Sequence, residues 1–115
     1  MIVLATDYDT DGVTSAWVAM TALVDYFNVP KARVKHVIGD RKTGYGITDE
    51  VVERILAIEE PISLVISADQ GSSDEPRIKR LKAAGIQVCV TDHHQMSLDG
   101  APASAACTVN PQQAE

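Results

Sequence analysis

Apolar and β-branched residues gather in four short runs, at residues 2–5, 34–38, 62–67 and 86–91. Each run is nearly continuous instead of alternating, which predicts strands covered on both faces. The segments between them repeat their apolar positions at helical spacing. Over residues 13–27, Val13, Trp17, Met20, Ala22, Leu23 and Val24 approximate one stripe that ends near Asn28 and Pro30. That segment reads as a helix with Trp17 packed in the core. Residues 49–58 place Val51, Val52, Ile55, Leu56 and Ile58 on one side, behind Thr48 as an N-cap. Residues 73–84 open with Ser73, Asp74, Glu75 and Pro76 and stop at Gly85, the acidic start and glycine stop of a third helix.

Alternating strands and helices imply right-handed crossovers and a mainly parallel sheet with helices on both faces, a three-layer α/β/α Rossmann-like domain. The expected strand order is 2-1-3-4, which brings the ends of the first and third strands together at the switch point where open α/β sheets hold ligands. A short fifth strand is expected at residues 106–109, before Asn110 and Pro111. The length of 115 residues and the 45% hydrophobic content fit one domain over residues 1–115.

Those strand ends carry the candidate chemistry. Asp7, Asp9 and Asp11 alternate directly after the first strand, and three like charges held this close invite a cation. Asp69 follows the third strand, and Asp92, His93 and His94 follow the fourth. A net charge of −6 by itself disfavours a nucleic-acid partner. Five of the 16 acids are these candidate ligands, however, and bound divalent cations would offset part of their charge. Cys89 and Cys107 lie in apolar segments without CxxC spacing, which predicts buried free thiols and a reducing compartment. No apolar run approaches the ~18 residues of a membrane span, and the N-terminus lacks signal-peptide features, so a soluble cytoplasmic protein is expected.

Asp-x-Asp-x-Asp-Gly at residues 7–12 also opens a calcium-binding EF-hand loop. That reading fails, because the final loop position is Val18 where a bidentate glutamate is needed, and a strand precedes the loop instead of a helix. The aspartyl phosphatase pattern of the haloacid dehalogenase superfamily, Asp-x-Asp-x-Thr/Val, has Thr or Val where Asp11 stands. A nucleophilic aspartate stays chemically open, although the downstream histidines favour metal-held carboxylates. Capping and turn chemistry is the plain alternative for residues 7–12 and 69–73, as a solvated turn is for His93 and His94. Three such segments on one sheet edge are more specific than any one alone.

In order and spacing, Asp-Tyr-Asp-Thr-Asp-Gly-Val-Thr-Ser, Ala-Asp-Gln-Gly and Thr-Asp-His-His resemble motifs one to three of the DHH phosphoesterase superfamily. Gly39-Asp40-Arg41 with Gly44-Tyr45-Gly46-Ile47, and Val109-Asn110-Pro111, are similar to segments of its RecJ-type single-strand exonucleases. The resemblance implies a two-metal phosphoesterase preferring Mn2+, with Mg2+ as a substitute, acting on single-stranded DNA from the 5′ end in repair or recombination. By the same resemblance Asp7 and Asp9 hold one ion, Asp11 and His93 the other, and Asp69 bridges them. His94 faces the scissile phosphate, Asp92 orients the histidines, Arg41 clamps a phosphate and Tyr45 stacks on a base or sugar. Hard oxygen ligands with one imidazole suit manganese better than zinc.

His36 is expected to be structural, and Lys79, Arg80 and Lys82 to form a solvated basic face. The superfamily's fourth motif and C-terminal substrate-binding domain have no counterpart after Pro111. The expectation is therefore a partial domain whose site is completed by a further domain or a protein partner. The alternatives are a relative acting on short oligonucleotides, cyclic dinucleotides or pyrophosphate, and a non-catalytic DHH-like binding module. The first is disfavoured by aspartate at position 7 and by the Asp40-Arg41 segment, the second by retention of the motif ligands.

Overall fold

The computed structural model describes residues 1–113. Five parallel strands, β1 (Ile2–Thr6), β2 (Val34–Ile38), β3 (Leu64–Ala68), β4 (Gln87–Thr91) and β5 (Cys107–Val109), form one sheet in the order β2-β1-β3-β4-β5. The connections run through α1 (Thr10–Thr21), α2 (Asp49–Leu56) and α3 (Glu75–Ala83), with α1 passing into a π-helical turn at Ala22–Tyr26. Both the central order and the fifth strand agree with the expectation.

The two sheet faces are unequal. Val3, Ala5, Val37, Val65, Val88 and Val90 project onto one face, where Ile47, Val51, Val52 and Ile55 and then Ile78 and Leu81 cover them. Burying these aliphatic side chains supplies the main driving force for the fold, at roughly 1.5–3 kcal/mol for each fully buried Val, Leu or Ile. On the outer surface of this layer Arg80 of α3 pairs with Asp49 at 3.2 Å and with Glu53, both on α2. Lys79, Arg80 and Lys82 are all exposed, as expected of a solvated basic face, with Arg80 making these ion pairs at the surface.

The opposite face carries α1, which lies against β1 and β3. Within α1 only Gly12 is fully buried, while Trp17 is 75% exposed. This overturns the assignment of Trp17 to the core. Ser15, Ala16, Ala19, Met20, Ala22, Leu23 and Val24 are partly buried, and the i, i+3, i+4, i+7 spacing of Ala16, Ala19, Met20 and Leu23 is a stripe that can meet the sheet. Farther along the same face, Val109 is 64% exposed and Cys107 is exposed, with Cys89 intermediate. The thiols are free, as expected, but not buried, since α1 packs mainly on β1 and β3. No helix among the described residues is long and apolar enough to cross a membrane.

Local chemistry explains where the elements stop. Thr48 caps α2 by accepting from the Val51 N–H, Asn28 turns the chain after the first helical segment with φ of 57°, and Gly85 ends α3 with φ of 82°. At the carboxyl edge the ladder continues beyond the strands. Gly39 N–H donates to Thr6 O, Asp69 N–H to Thr91 O, and Asp92 N–H to Val109 O, each at 3.0 Å. The residues that follow β2, β3 and β4 are therefore held as firmly as the sheet itself.

Candidate metal centre

The β1–α1 turn sets the first three acids. Asp7 is 3% exposed at the end of β1, and its Oδ1 accepts from the Tyr8 N–H at 2.8 Å. Asp9 is the N-cap of α1, with Oδ1 accepting from the Gly12 N–H at 2.9 Å. That bond, which favours the ionised form, holds the Asp9 carboxyl below its ordinary range. Capping and ligand roles are thus compatible in one side chain. Gly12 is required at its position, since a Cβ there would lie 2.1 Å from the Asp7 carbonyl oxygen.

Asp69, 5% exposed, sits at the centre. Its backbone is left-handed, with φ of 64°, a conformation uncommon for non-glycine residues and enriched at functional sites. His93 Nε2–H donates to Asp69 Oδ1 at 2.7 Å and lies 3.7 Å from Asp11 Oδ2. Burial raises the Asp69 pKa; the nearby Asp9 adds to the rise and His93 opposes it. Asp69 Oδ2 is buried with no hydrogen-bond partner. A buried carboxylate oxygen left unpaired among like charges is costly, and a divalent cation would satisfy it.

Ligand atoms of Asp7, Asp9 and Asp69 fall within 4.8 Å of one another, as do those of Asp69, His93 and His94. Asp69 belongs to both groups. This donor set, mainly carboxylate oxygen with imidazole, fits a hard divalent cation such as manganese or magnesium.

Behind the histidines lies a buried polar scaffold. Asp92 Oδ1 accepts from the His93 N–H at 2.8 Å and from His94 Nδ1–H at 2.7 Å, while Oδ2 accepts from the Ser72 N–H at 3.2 Å. The Asn110 side-chain amide donates to Ser72 Oγ at 2.8 Å and to His94 O at 2.9 Å. Tyr45 reaches in from the β2–α2 loop, and its hydroxyl donates to Asp69 O at 3.0 Å. The tyrosine oxygen also lies 2.7 Å from His94 Nδ1, so a proton on Nδ1 serves both Asp92 and Tyr45 and leaves Nε2 outside these bonds. Burial, reinforced by the surrounding carboxylates, pushes the Tyr45 pKa up and keeps the phenol protonated.

The loop that carries Tyr45 is itself anchored. Asp74 Oδ2 accepts from the Ile47 N–H at 2.9 Å, and at Gly46 (φ 88°) a Cβ would lie 2.8 Å from that same oxygen. Arg41 lines an open pocket with Tyr8, Asp9 and Thr14, its guanidinium 5.6 Å from the centre of the Tyr8 ring. His36 bonds Thr6 Oγ1 at 2.7 Å on the β2 side of the sheet. Asp11, Thr14, Ser15, Asp69, Thr91, Asp92 and His93 line an open cleft of about 410 Å³ beside α1.

The DHH family, N-terminal domain, matches this sequence over residues 1–115. The chain belongs to the DHH family. The RecJ single-stranded-DNA-specific exonuclease of Haemophilus influenzae is 36% identical over 111 residues, covering 96% of this chain. The RecJ of Bacillus subtilis is 37% identical over 95 residues, covering 82% of it. A crystal structure of exonuclease RecJ bound to manganese superposes with a TM-score of 0.75 at 28% identity, covering 96% of this chain. The DHH domain spans only 18%, 11% and 26% of those proteins, respectively.

Sequence reasoning brought forward all of the acids and histidines that meet in this DHH domain but missed two supports. Ser72 lies inside the Asp69 motif and could have been singled out as a buried hydroxyl. Asp74 looked like an ordinary acidic residue at a helix start, and nothing local distinguishes it as the anchor of Ile47.

The His94 environment has a pH consequence in chelated samples. Its hydrogen bond to Asp92 raises the pKa above 6.5, against the effect of burial, and the charges of Asp92, Asp69 and Asp7 add to the rise. The folded value exceeds the unfolded one, so this contribution to stability is complete below about 6.5 and is lost as pH rises through the folded value. The melting temperature of the metal-free domain should therefore fall relative to His94→Gln above that pH. A wild-type-minus-variant difference that stays flat with pH would contradict the assignment.

Proposed function

We propose that this DHH domain is the metal-binding catalytic half of a RecJ-like phosphodiesterase that hydrolyses single-stranded DNA from the 5′ end. The observation that carries the proposal is the meeting of Asp7, Asp9, Asp69, His93 and His94 around a buried Asp69 oxygen without a partner. In this reading Asp7 and Asp9 hold one Mn2+, Asp11 and His93 a second, and Asp69 contributes to both. Bound there, the ions supply a polarised water and neutralise charge on the phosphoryl oxygens.

The remaining groups orient and steer. Asp92 holds the His94 ring through Nδ1 and so presents Nε2 toward the scissile phosphate, where it supports the phosphoryl charge or the departing oxygen. Tyr45 keeps its proton and braces His94. Arg41, which lines a pocket with Asp9 and Tyr8, is assigned to a phosphate of the strand. Grip on the polynucleotide, and a further acidic ligand, are assigned to polypeptide beyond these residues or to a partner, consistent with the small share of each relative that the domain spans.

The test is product analysis of 5′-labelled single-stranded and duplex DNA with Mn2+. The single strand should be shortened faster than the duplex, and chelator should stop the reaction. Preferential hydrolysis of a dinucleotide or pyrophosphate would move the substrate to another branch of the family. Failure of the Mn2+-bound chain to hydrolyse any of these substrates would remove independent catalysis from residues 1–115.

A further inference from the structure

Away from the acids, β4 and β5 set two thiols side by side. Cys89 and Cys107 are register partners in neighbouring parallel strands, so their Cα atoms are separated by about the 4.8 Å strand spacing, inside the roughly 4.4–6.8 Å range of disulfides. Val88 and Val90 flank Cys89 and are 1% and 0% exposed on the α2–α3 face, which places Cys89 and its partner on the opposite face. There Cys107 is exposed and Cys89 partly so. The two side chains therefore stand next to each other on that face. Burial, with the neighbouring Cys107 thiol, pushes the Cys89 thiol up to about 11, and the exposed Cys107 is the better placed to meet an oxidant from solvent.

We propose that Cys89 and Cys107 are a peroxide-sensitive modification site that closes to a reversible intrachain disulfide. The Cys107 thiolate attacks one peroxide oxygen, the O–O bond breaks, and hydroxide leaves and takes up a proton, giving a sulfenic acid. Cys89, losing its proton to solvent, attacks that sulfur; the S–O bond breaks and water departs as the S–S bond forms. Two thiols and one hydrogen peroxide yield one disulfide and two waters, with the sulfurs oxidised and the peroxide oxygens reduced. A small dithiol reverses the step by exchange.

The location gives the bond a structural effect. β5 is a three-residue edge strand, and Asn110, directly beyond it, donates to His94 O and Ser72 Oγ. Covalent attachment of β5 to β4 ties down the strand from which that polar scaffold is held, and it restrains the unfolded chain through the closed loop.

The experiment treats the chelated chain with hydrogen peroxide and follows thiol titration, intact mass and melting temperature, none of which depends on metal binding or hydrolysis. Expected are loss of both thiols, a mass lower by two hydrogens, a monomer on a non-reducing gel, and a higher melting temperature that dithiothreitol reverses. Their juxtaposition in the fold should make closure at least about tenfold faster than in the urea-unfolded chain. Cys107→Ser, at an exposed position, should melt as the reduced wild type does and show no increase with peroxide. Retained thiols, added oxygen without closure, intermolecular dimers, or equal rates folded and unfolded would each overturn the proposal.

Discussion

Replacing Asp69 by asparagine is expected to abolish the stabilisation of this domain by Mn2+ while leaving the metal-free fold intact. Ligand bound to the native state at about a hundred times its dissociation constant contributes about 2.7 kcal/mol. For a domain near this size that corresponds to a rise of about 10 °C in melting temperature. Asp69 is the residue shared by the two candidate ligand groups, so its loss should lower Mn2+ affinity at least about a hundredfold, since even loss of a group that only orients a ligand costs about 10–100-fold. Asparagine tolerates the left-handed backbone at this position better than alanine, so the charge is removed with little added strain.

The metal-free comparison has the opposite sign. Burial and Asp9 raise the Asp69 pKa, so its charge at neutral pH opposes folding, and that penalty disappears in the variant. Without metal the variant should melt at or above the wild-type temperature; with Mn2+ it should melt well below. Thermal melts of the chelated and Mn2+-loaded proteins measure both. No metal-dependent rise in the wild type, or a full rise in the variant, would reject the site as assigned.

Gly12→Ala should be the most damaging single-methyl change at the β1–α1 junction. The new Cβ would meet the Asp7 carbonyl oxygen at 2.1 Å and its carbon at 2.4 Å, and both belong to a backbone held between β2 and β3. Overpacking typically costs about 1–3 kcal/mol, and a clash with fixed backbone belongs at the upper end or beyond. The gain of up to about 1 kcal/mol in helix propensity from glycine to alanine does not offset it. Urea unfolding should show a loss of about 3 kcal/mol, with weakened Mn2+ binding as Asp7 and Asp9 move apart. A midpoint equal to wild type would mean that α1 shifts without cost.

Much of the site was legible because its ligands follow their strands directly. The runs at residues 2–5, 62–67 and 86–91 identified buried strands, and their carboxyl ends then placed Asp7, Asp69 and His93 on one edge. Trp17 was misplaced because the pattern of α1 allows two overlapping apolar stripes, and only contact with β1 and β3 selects the one through Ala16 and Met20. The scaffold was hidden for a different reason. Asn110 and Ser72 are 38 residues apart, and Asp74 reaches a backbone amide 27 residues away.

Secondary structure, strand order and the identity of the charged groups follow from short-range properties: hydrophobic period, capping chemistry and the handedness of crossovers. Asp69 Oδ2 without a partner, Tyr45 sharing a proton with His94, and Cys89 set beside Cys107 follow from through-space contacts between elements far apart in the chain. The linear pattern carries no distance between such groups. Packing of the sheet against its helices sets those distances, and with them which charges couple, which hydrogen bonds close and which thiols meet.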